Sequence, residues 1–470
     1  MFILLEINIS SIIITNNHKT PTRTMITKIL HKIWNERKQN AWIFLELFVV
    51  SLFVWLSIDP VIDLMSRSNI PQNYNDDNVY EIQFHQYWND SPKYNPALAD
   101  NKYTLEAYRQ CLNMINDLPE VETYCIARMY PGNASRFREK CSVDSTQRAD
   151  RKSVNVDVAY YYSIQTLESN YFKTFGIKDA ASGKIVESTD IKSTDNTLDA
   201  YITETGAMTL FGTKDCIGKE FFSSSAPDHL RWRVQGVIKD IQASIYYEYA
   251  PTMIVCNKMP TGVSADYLGY HTISIRLKEG VDAHKFEQRF RAEIMPKLKA
   301  GNLYCARFTS HKKLKEEGEE DYGINNLYRQ NIILTLFALL SGFMGIFGTF
   351  WLRASARRRE TGIMQSIGAT RNSIIRQYAT EALMLASAAF VLALPLIFHK
   401  VYTFGFADPL EGYLRFREFE TDNFLHNQPI QRFATVTVIS YLFVVLISII
   451  GATVPTAATV KRHPADALRE

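Results

Sequence analysis

The chain has 470 residues, of which 46% are hydrophobic and 21% are charged, and its mean hydropathy is −0.14. Averages of this kind are typical of a soluble protein. The net charge of +3, from 52 basic and 49 acidic residues, argues against a nucleic acid as the main partner, because such binders usually carry a basic excess or a basic face. The apolar residues, however, are concentrated in a few windows.

Four windows are long and apolar enough to cross a bilayer, which takes ~20 residues at about 1.5 Å of rise per residue. The second and fourth windows contain no charged side chain, and the first and third contain one acid each. Buried helices of soluble proteins rarely run this far without more charges. We therefore predict four transmembrane helices, at residues 41–58, 331–352, 379–398 and 433–454.

Basic residues flank these windows unequally. They precede the first window, follow the fourth and crowd the segment between the second and third, whereas the loop between the third and fourth has no such excess. Because Lys and Arg stay on the cytoplasmic side, residues 1–40, 353–378 and 455–470 are predicted to lie inside. Residues 59–330 and 399–432 are then outside, and both termini are cytoplasmic.

The first residues do not have the pattern of a signal peptide. The run Met1–Ile14 is apolar but short, and no basic region precedes it. Met25 opens a stretch that leads directly into the first window. We expect Met25 to be the true start, with residues 1–24 a mis-assigned extension.

Residues 59–330 have the pattern of a mixed domain. Runs such as VYEIQF from Val79 and HTISIRL from His271 alternate apolar and polar residues, which predicts half-buried strands. Helical patterns lie between them, and the charged run His311–Asp321 predicts a solvated stalk before the second span. The predicted fold class is an α+β membrane protein: four transmembrane helices with a large α+β extracytoplasmic domain between helices 1 and 2.

All six cysteines lie in this predicted domain, at positions 111, 125, 141, 216, 256 and 305. An even number of cysteines in an oxidising compartment permits disulfides, whose connectivity the sequence leaves open. Buried free thiols are the alternative.

Motifs for catalysis are absent from the sequence. Neither Gly183-Lys184 nor Gly218-Lys219 has the spacing or the following Ser or Thr of a phosphate-binding loop. The sequence also contains no His-Glu-x-x-His, Gly-x-Ser-x-Gly or Cys-x-x-Cys motif. We expect neither an enzyme nor a cofactor or metal site.

Two acids, Glu46 and Glu381, lie inside the predicted spans. Acids within a membrane are candidates for function by default. Both lie a few residues from the cytoplasmic end, where a carboxylate reaches water, headgroups or nearby arginines. A structural role is favoured, and a role in moving protons or substrate is the alternative.

The loop after the second span is the most informative segment. It reads RRRETGIMQSIGATRNSIIRQYATEAL from Arg357, with apolar residues at helical spacing, several arginines, and a break at Gly368-Ala369-Thr370. One interpretation is an amphipathic helix pair at the membrane surface. The other is a docking element for a cytoplasmic partner, since a short amphipathic helix can lie in a groove.

At these positions the sequence closely resembles the permease family of MacB/FtsX-type ABC transporters. The run Arg358–Thr370, followed by Thr380-Glu381-Ala382-Leu383, is similar to the family's most diagnostic block, and Pro464–Leu468 to its usual ending. In the large domain, Asn170–Ile177 and Tyr201–Ile254 resemble further family markers. The likeness runs through nearly the whole chain from Met25.

The resemblance implies a multi-pass permease of the bacterial inner membrane that acts as a homodimer or heterodimer. It implies that ATP hydrolysis drives a conformational change of the periplasmic domain, by mechanical coupling, for export or efflux. Macrolide exporters of this family carry a fused ATPase, whereas only 40 residues precede the first span here, so a separate ABC ATPase subunit is expected. A periplasmic adaptor and an outer-membrane channel are further candidate partners.

The resemblance also implies a coupling helix that faces the ATPase. The matching positions are Glu360, Gly362, Ile363, Gly368 and Ala369. Two other functions share this architecture: an FtsX-like regulatory subunit that signals to envelope enzymes, and a lipoprotein-release permease. The sequence names no substrate.

Overall fold

A computed structural model describes residues 27, 29, 31–132, 138–143, 154–163, 170–186, 197–223, 231–242, 249–258, 271–321, 323–407 and 428–460. The expectations for the start at Met25 and residues 1–24, for most of the 399–432 loop, and for the family-like ending Pro464–Leu468 lie outside the described residues. The chain forms two compact units. The membrane unit comprises the described residues of Met1–Asp63, Arg329–Pro409 and Gln428–Glu470, and the α+β unit comprises those of Leu64–Tyr328 and Leu410–Asn427.

The helices are numbered in chain order. They are α1 Arg37–Ser68, α2 Asn101–Asn116, α3 Tyr171–Phe175, α4 Glu204–Phe211, α5 Ala283–Arg289, α6 His311–Asp321, α7 Ile324–Ala356, α8 Arg358–Ser366, α9 Arg371–Phe404 and α10 Pro429–Val460. The residues just before α1 are helical through residue 35, and residues 31–36 are called the pre-α1 segment below.

The strands are also numbered in chain order. They are β1 Val79–Gln86, β2 Val121–Ala127, β3 Arg138–Ser142, β4 Val154–Ser163, β5 Thr197–Thr203, β6 Glu220–Ser223, β7 Arg231–Ile238, β8 Thr252–Lys258, β9 Thr272–Leu277, β10 Lys299–Ala300 and β11 Leu303–Ser310.

Four helices contain a segment long and apolar enough to cross a membrane. These segments are Asn40–Ser68, Asn325–Ala356, Arg371–Phe404 and Pro429–Val460. Each predicted window lies inside one of them, and the α+β unit lies between the first and second along the chain, so the predicted fold class is confirmed. The helices extend beyond the windows because polar residues continue the backbone hydrogen bonding: α1, for example, runs on past Ile58 through Asp59 and Asp63.

Small residues let the long helices approach closely. In α9, four buried alanines recur every three or four residues within the core of the membrane unit, and α9 packs along α10. In α7, a Cβ added to Gly342 would lie 3.1 Å from Val50, and one added to Gly345 would lie 2.8 Å from the Glu46 carboxylate. Gly348 faces open space. Two of the three regularly spaced glycines therefore bring α7 against α1.

The described strands of the α+β unit form one sheet in the order β10-β11-β1-β9-β2-β4-β3-β6-β7-β5-β8. Strand β8 also pairs with β4 in parallel, so the six strands from β4 to β8 close into a ring. The remaining strands, β10-β11-β1-β9-β2, pair antiparallel. The unit thus has two lobes joined where β2 meets β4.

Each lobe has its own core. Helices α2 and α5 cover the open sheet, where Phe290 stacks on Phe308 with ring centroids 3.8 Å apart. All six ring strands contribute to the other core, in which Phe221 stacks on Trp232 at 5.4 Å. Strands β1 and β2 are buried on both faces rather than on the one face that alternation predicts, because a third cluster around Phe172 packs on their other side.

Two expectations for this unit need comment. The charged run His311–Asp321 is the helix α6, but it is not fully solvated: His311, Leu314 and Glu319 are buried, and α6 packs on β11 and β1. The apolar positions were too few to reveal this face. All six cysteines are buried free thiols, as the alternative to disulfides supposed. Burial raises the pKa of the Cys111 and Cys125 thiols to about 12.

Candidate coupling site

Helix α8 is set off from its neighbours by local backbone signals. It ends where Gly368 adopts a φ of +97°, a left-handed conformation that favours glycine and terminates helices. Thr370 then caps α9, because its side-chain oxygen accepts a hydrogen bond from the Ser373 backbone N–H at 3.3 Å. The break predicted at residues 368–370 therefore separates two helices.

Glu381 lies buried in α9 and faces two arginines. Nη1 of Arg357 donates to its two carboxylate oxygens at 3.1 and 3.2 Å, and Arg353, near the end of α7, pairs with the same carboxylate. Arg357 also pairs with Glu36 of the pre-α1 segment, and Arg353 lies 3.6 Å from Glu36. Glu381 is thus a carboxylate held between two guanidinium groups.

Glu360 extends this arrangement into α8. Nζ of Lys32 donates to its carboxylate at 2.6 Å, and Nε of Arg357 lies 3.8 Å from its other oxygen. The resulting group has three basic and three acidic side chains and is formally neutral. It joins the pre-α1 segment, α7, α8 and α9, and we call it the coupling network: Lys32, Glu36, Arg353, Arg357, Glu360 and Glu381.

Uncharged contacts attach α8 to the end of α10 and add to its contacts with α9. Nε2 of Gln365 donates to the Val460 carbonyl of α10 at 3.0 Å, and the hydroxyl oxygens of Thr361 and Tyr378 lie 3.5 Å apart. Met364 and Ala369 pack on a small cluster formed by Ile374, Tyr378 and Val460. Helix α8 is therefore held to the bundle along one side.

The structure divides the five residues expected to face an ATPase. Glu360 belongs to the coupling network, Gly362 is buried, and Ala369 packs on the small cluster. Ile363 is 44% exposed, and Gly368 is also exposed. Three of the five positions therefore face the bundle rather than solvent.

Two exposed residues, Arg359 and Ile367, were missing from that set. Ile367 is 81% exposed and follows Ile363 by four residues, as Ile363 follows the exposed Arg359. Residues four apart share one side of a helix, so these three form a stripe, which we call the docking face: Arg359, Ile363 and Ile367. The spacing of four residues can be read in the sequence, but the family motif indicated a set of positions that contains neither Arg359 nor Ile367.

The second intramembrane acid, Glu46, contacts a different helix. Its carboxylate accepts a hydrogen bond from Thr349 Oγ1 at 2.6 Å and lies over Gly345 of α7. It is half-buried and links α1 to α7. Among the described residues, no group of three or more His, Cys, Asp or Glu side chains could hold a metal ion.

Sequence reasoning overlooked a third group of charges. Arg432 is fully buried, with Nε 2.8 Å from Asp59 and Nη1 3.0 Å from Asp63, and Nη2 donates to the Ala407 carbonyl at 2.8 Å. The predicted windows ended at Ile58 and began again at Phe433, which excluded all three charged residues. The sequence nevertheless contains a sign of this group: Asp59 and Asp63 lie four residues apart just after the first span, and Arg432 lies just before the fourth.

Comparison with known proteins finds a family match for the part of the chain that contains α8. Residues 332–464 match the FtsX-like permease C-terminal family. They contain α8, the docking face and the four network residues from Arg353 onward.

The chain contains an FtsX-like permease C-terminal region and resembles MacB/FtsX-type permeases.

Curated relatives agree with this assignment. The macrolide export ATP-binding/permease protein MacB of Mannheimia succiniciproducens is 21% identical over 227 residues, which are 47% of this chain and 33% of the relative. MacB of Campylobacter jejuni is 23% identical over 291 residues, 58% of this chain and 42% of the relative. The alignments thus span less than half the length of these relatives.

Solved structures show a weaker likeness. The extracellular domain of the ABC-type transporter YknZ from Gram-positive bacteria is 12% identical, with a TM-score of 0.26, and the match covers 49% of this chain and 100% of that domain. The periplasmic region of MacB from Actinobacillus actinomycetemcomitans is 10% identical, with a TM-score of 0.29, covering 52% and 92%. Scores this low add nothing to the assignment.

Four apolar helices and this family together make the chain a multi-pass protein of the inner membrane. Members of the family are membrane subunits of transporters rather than enzymes, and they work with an ATPase subunit.

Proposed function

We propose that this permease couples ATP hydrolysis by a separate ABC ATPase subunit to a conformational change of its α+β unit, in a dimeric complex for export or efflux. The α+β unit lies in the periplasm, and both termini lie in the cytoplasm. The 470 residues contain no phosphate-binding loop motif, so nucleotide hydrolysis is assigned to the partner.

The observation that carries the proposal is the coupling network. Lys32 and Glu381 tie α8 to the pre-α1 segment and to α9, and Arg353 of α7 pairs with the same Glu381 carboxylate. A displacement of α8 cannot occur alone, because it would separate charges that are partly removed from water and attract each other strongly there. Movement of α8 is therefore passed to α1, α7 and α9, of which α1 and α7 flank the α+β unit in the chain.

The docking face supplies the contact with the ATPase. Ile363 and Ile367 present apolar side chains to solvent, and Arg359 adds a positive charge on the same stripe. A short helix with this pattern fits an apolar groove with an acidic rim. Glu360, Gly362 and Ala369 serve on the other side of α8, where they transmit the movement.

The excess of arginine around α8 supports the orientation, since Lys and Arg favour the cytoplasmic side. A cysteine introduced by Ser366→Cys, on the exposed part of α8, should not react with an impermeant thiol reagent in whole cells. External labelling at this position would contradict the orientation.

The docking role is tested by co-purification of the ATPase with two matched variants. Ile367→Glu places a charge on the docking face at a side chain that packs against little. Ile430→Glu makes the same change at an equally exposed isoleucine (83%) at the start of α10. We expect the first variant to lose the ATPase and the second to retain it. Equal retention by both would contradict the proposed docking face.

A further inference from the structure

A groove in the membrane unit lies between the start of α1 and the middle of α9. It has a volume of about 1070 Å³ and is lined mostly by apolar side chains, among them Phe44, Phe48 and Leu392. Tyr441 and Ser387, whose hydroxyl oxygens lie 2.9 Å apart, also line it. Arg37 to Phe48 spans about 16 Å at ~1.5 Å per residue, which matches half of the ~30 Å hydrocarbon core, or one leaflet.

One end of this groove is polar. Asn40 is only 3% exposed; its Nδ2 donates to the Ile33 carbonyl at 2.9 Å, whereas its Oδ1 accepts no hydrogen bond from any described residue. A buried acceptor without a donor is uncommon in native proteins and calls for a partner. The groove thus offers an unused acceptor where its lining changes from apolar to polar.

A positive charge stands at the same end. Arg37 is exposed and has no ion-pair partner among the described residues; its guanidinium lies 5.5 Å from the centre of the Trp34 ring. Trp34 itself lines the groove and is exposed, as is typical of aromatic residues at the membrane interface. Arg37 is not part of the coupling network, so an anion bound to Arg37 would not disturb the ion pairs of that network.

We propose that the groove binds one anionic phospholipid with a hydroxylated headgroup, such as phosphatidylglycerol. An acyl chain lies along Phe44, Phe48 and Leu392, the phosphate pairs with Arg37, and a headgroup hydroxyl donates to Oδ1 of Asn40. Basic pockets between transmembrane helices favour anionic headgroups in the same way. Assignment to the cytoplasmic leaflet depends on the proposed orientation, but lipid binding itself does not.

The proposal is tested with the purified full-length permease, without its ATPase, by native mass spectrometry. Phosphatidylglycerol and phosphatidylcholine with identical acyl chains are added in equal amounts. We expect one retained lipid per chain and a roughly fivefold preference for phosphatidylglycerol, the factor that ~1 kcal/mol per basic residue gives. Retention of neither lipid, or of both equally, would overturn the proposal.

Two pairs of variants locate the site. Arg37→Gln should abolish the headgroup preference, whereas Lys38→Gln, which removes a neighbouring exposed charge outside the groove lining, should not. Ala388→Trp should fill the groove and prevent retention, whereas Val391→Trp, on the same helix but outside the lining, should not. An unchanged preference in Arg37→Gln would refute the headgroup site.

The variants also show whether the groove is occupied by a lipid or by a second copy of the chain. If Ala388→Trp converts a dimer to a monomer and leaves lipid retention unchanged, the groove is a contact between copies and the lipid proposal is wrong. The measurement requires no ATPase, so failure of the proposed coupling function would leave its outcome unaffected.

Discussion

Nη1 of Arg357 lies 3.1 and 3.2 Å from the two carboxylate oxygens of Glu381, and this pair joins the start of α8 to α9 inside the membrane unit. Arg357 is also the residue that touches Glu36 and Glu360. One guanidinium therefore contacts all three acids of the coupling network. Because Arg357 contacts all three acids, we expect the loss of any one charge to weaken the contacts that hold the network together.

Glu381→Gln tests how strongly the network holds the bundle together. Removing one partner of a fully buried ion pair costs ~3–5 kcal/mol. Because Glu36 still faces both arginines, we expect a smaller loss of about 2 kcal/mol in the free energy of unfolding, measured by denaturant titration in detergent. Glu46→Gln, which can keep its hydrogen bond to Thr349, is the control and should change little. Equal effects of the two variants would contradict the assignment.

The glycines of α7 provide a second matched pair. Gly345→Ala would force the Glu46 carboxylate, 2.8 Å from the new methyl group, to move and lose its bond to Thr349, at about 1 kcal/mol. Gly348→Ala meets no atom within 4 Å and should stabilise the helix by up to ~1 kcal/mol. The same gain applies to Gly345→Ala and offsets most of its loss, so the temperature of thermal unfolding in detergent should rise more for Gly348→Ala than for Gly345→Ala. Equal shifts would show that α1 and α7 do not pack as described.

Arg432 carries a prediction for the other buried charges. Arg432→Met leaves Asp59 buried without the cation that it pairs with and should destabilise the protein by ~3–5 kcal/mol. Combining it with Asp59→Asn should recover much of this loss, because the buried carboxylate charge is then removed as well. Failure of the double variant to recover stability would mean that the hydrogen bonds of Arg432, rather than its charge, dominate.

His311 makes the α+β unit sensitive to acid. Its ring is buried against Tyr130 and Phe175, with Nε2 2.9 Å from Ser274 Oγ. Burial and, to a lesser extent, the nearby Arg276 together lower its pKa to about 3. Below the unfolded pKa of about 6.5, the unfolded chain binds a proton that the folded chain does not. This group's contribution to stability therefore falls as the pH drops from about 6.5 to 3.

His311→Gln removes this titration while keeping a partner for Ser274. Between pH 7 and pH 4.5 the wild type should lose about 2–3 kcal/mol more than the variant, at ~1.36 kcal/mol per pH unit. Hydrogen exchange of the β9 amides reports this locally. If the free energy of unfolding of the two proteins changed in parallel with pH, His311 would bind a proton as readily in the folded as in the unfolded chain, which would contradict the prediction. Other groups titrate in the same range, such as Glu81, because burial raises its pKa. Their effect on stability is the same in both proteins, so it cancels when one pH profile is subtracted from the other.

The sequence predicted the features that depend on local pattern. Four spans followed from unbroken apolar runs, and strands such as β1 and β9 followed from alternation. The break at Gly368 followed from the glycine itself, because its conformation is a local property.

Contacts between distant residues could not be predicted. Asp59 and Arg432 are 373 positions apart, and nothing in a single sequence specifies that they meet. The packing of Ala369 depends on where α10 ends, and the closed ring depends on a parallel pairing of β4 with β8. Each of these is fixed by tertiary packing rather than by local propensity.

The central claim is that the coupling network passes ATPase-driven movement of α8 into the rest of the permease. Lys32→Glu breaks the ion pair with Glu360, and Glu360→Lys breaks this pair and the longer contact with Arg357. The double variant restores the first pair with the charges exchanged. Spin labels introduced by Trp88→Cys in the α+β unit and Ile430→Cys in the membrane unit, both at exposed positions, report any change in distance when ATP is added to the complex.

We predict that each single variant still binds an active ATPase but loses the ATP-dependent change in this distance, and that the double variant regains most of it. A full distance change in both single variants, with normal ATP turnover, would contradict the account.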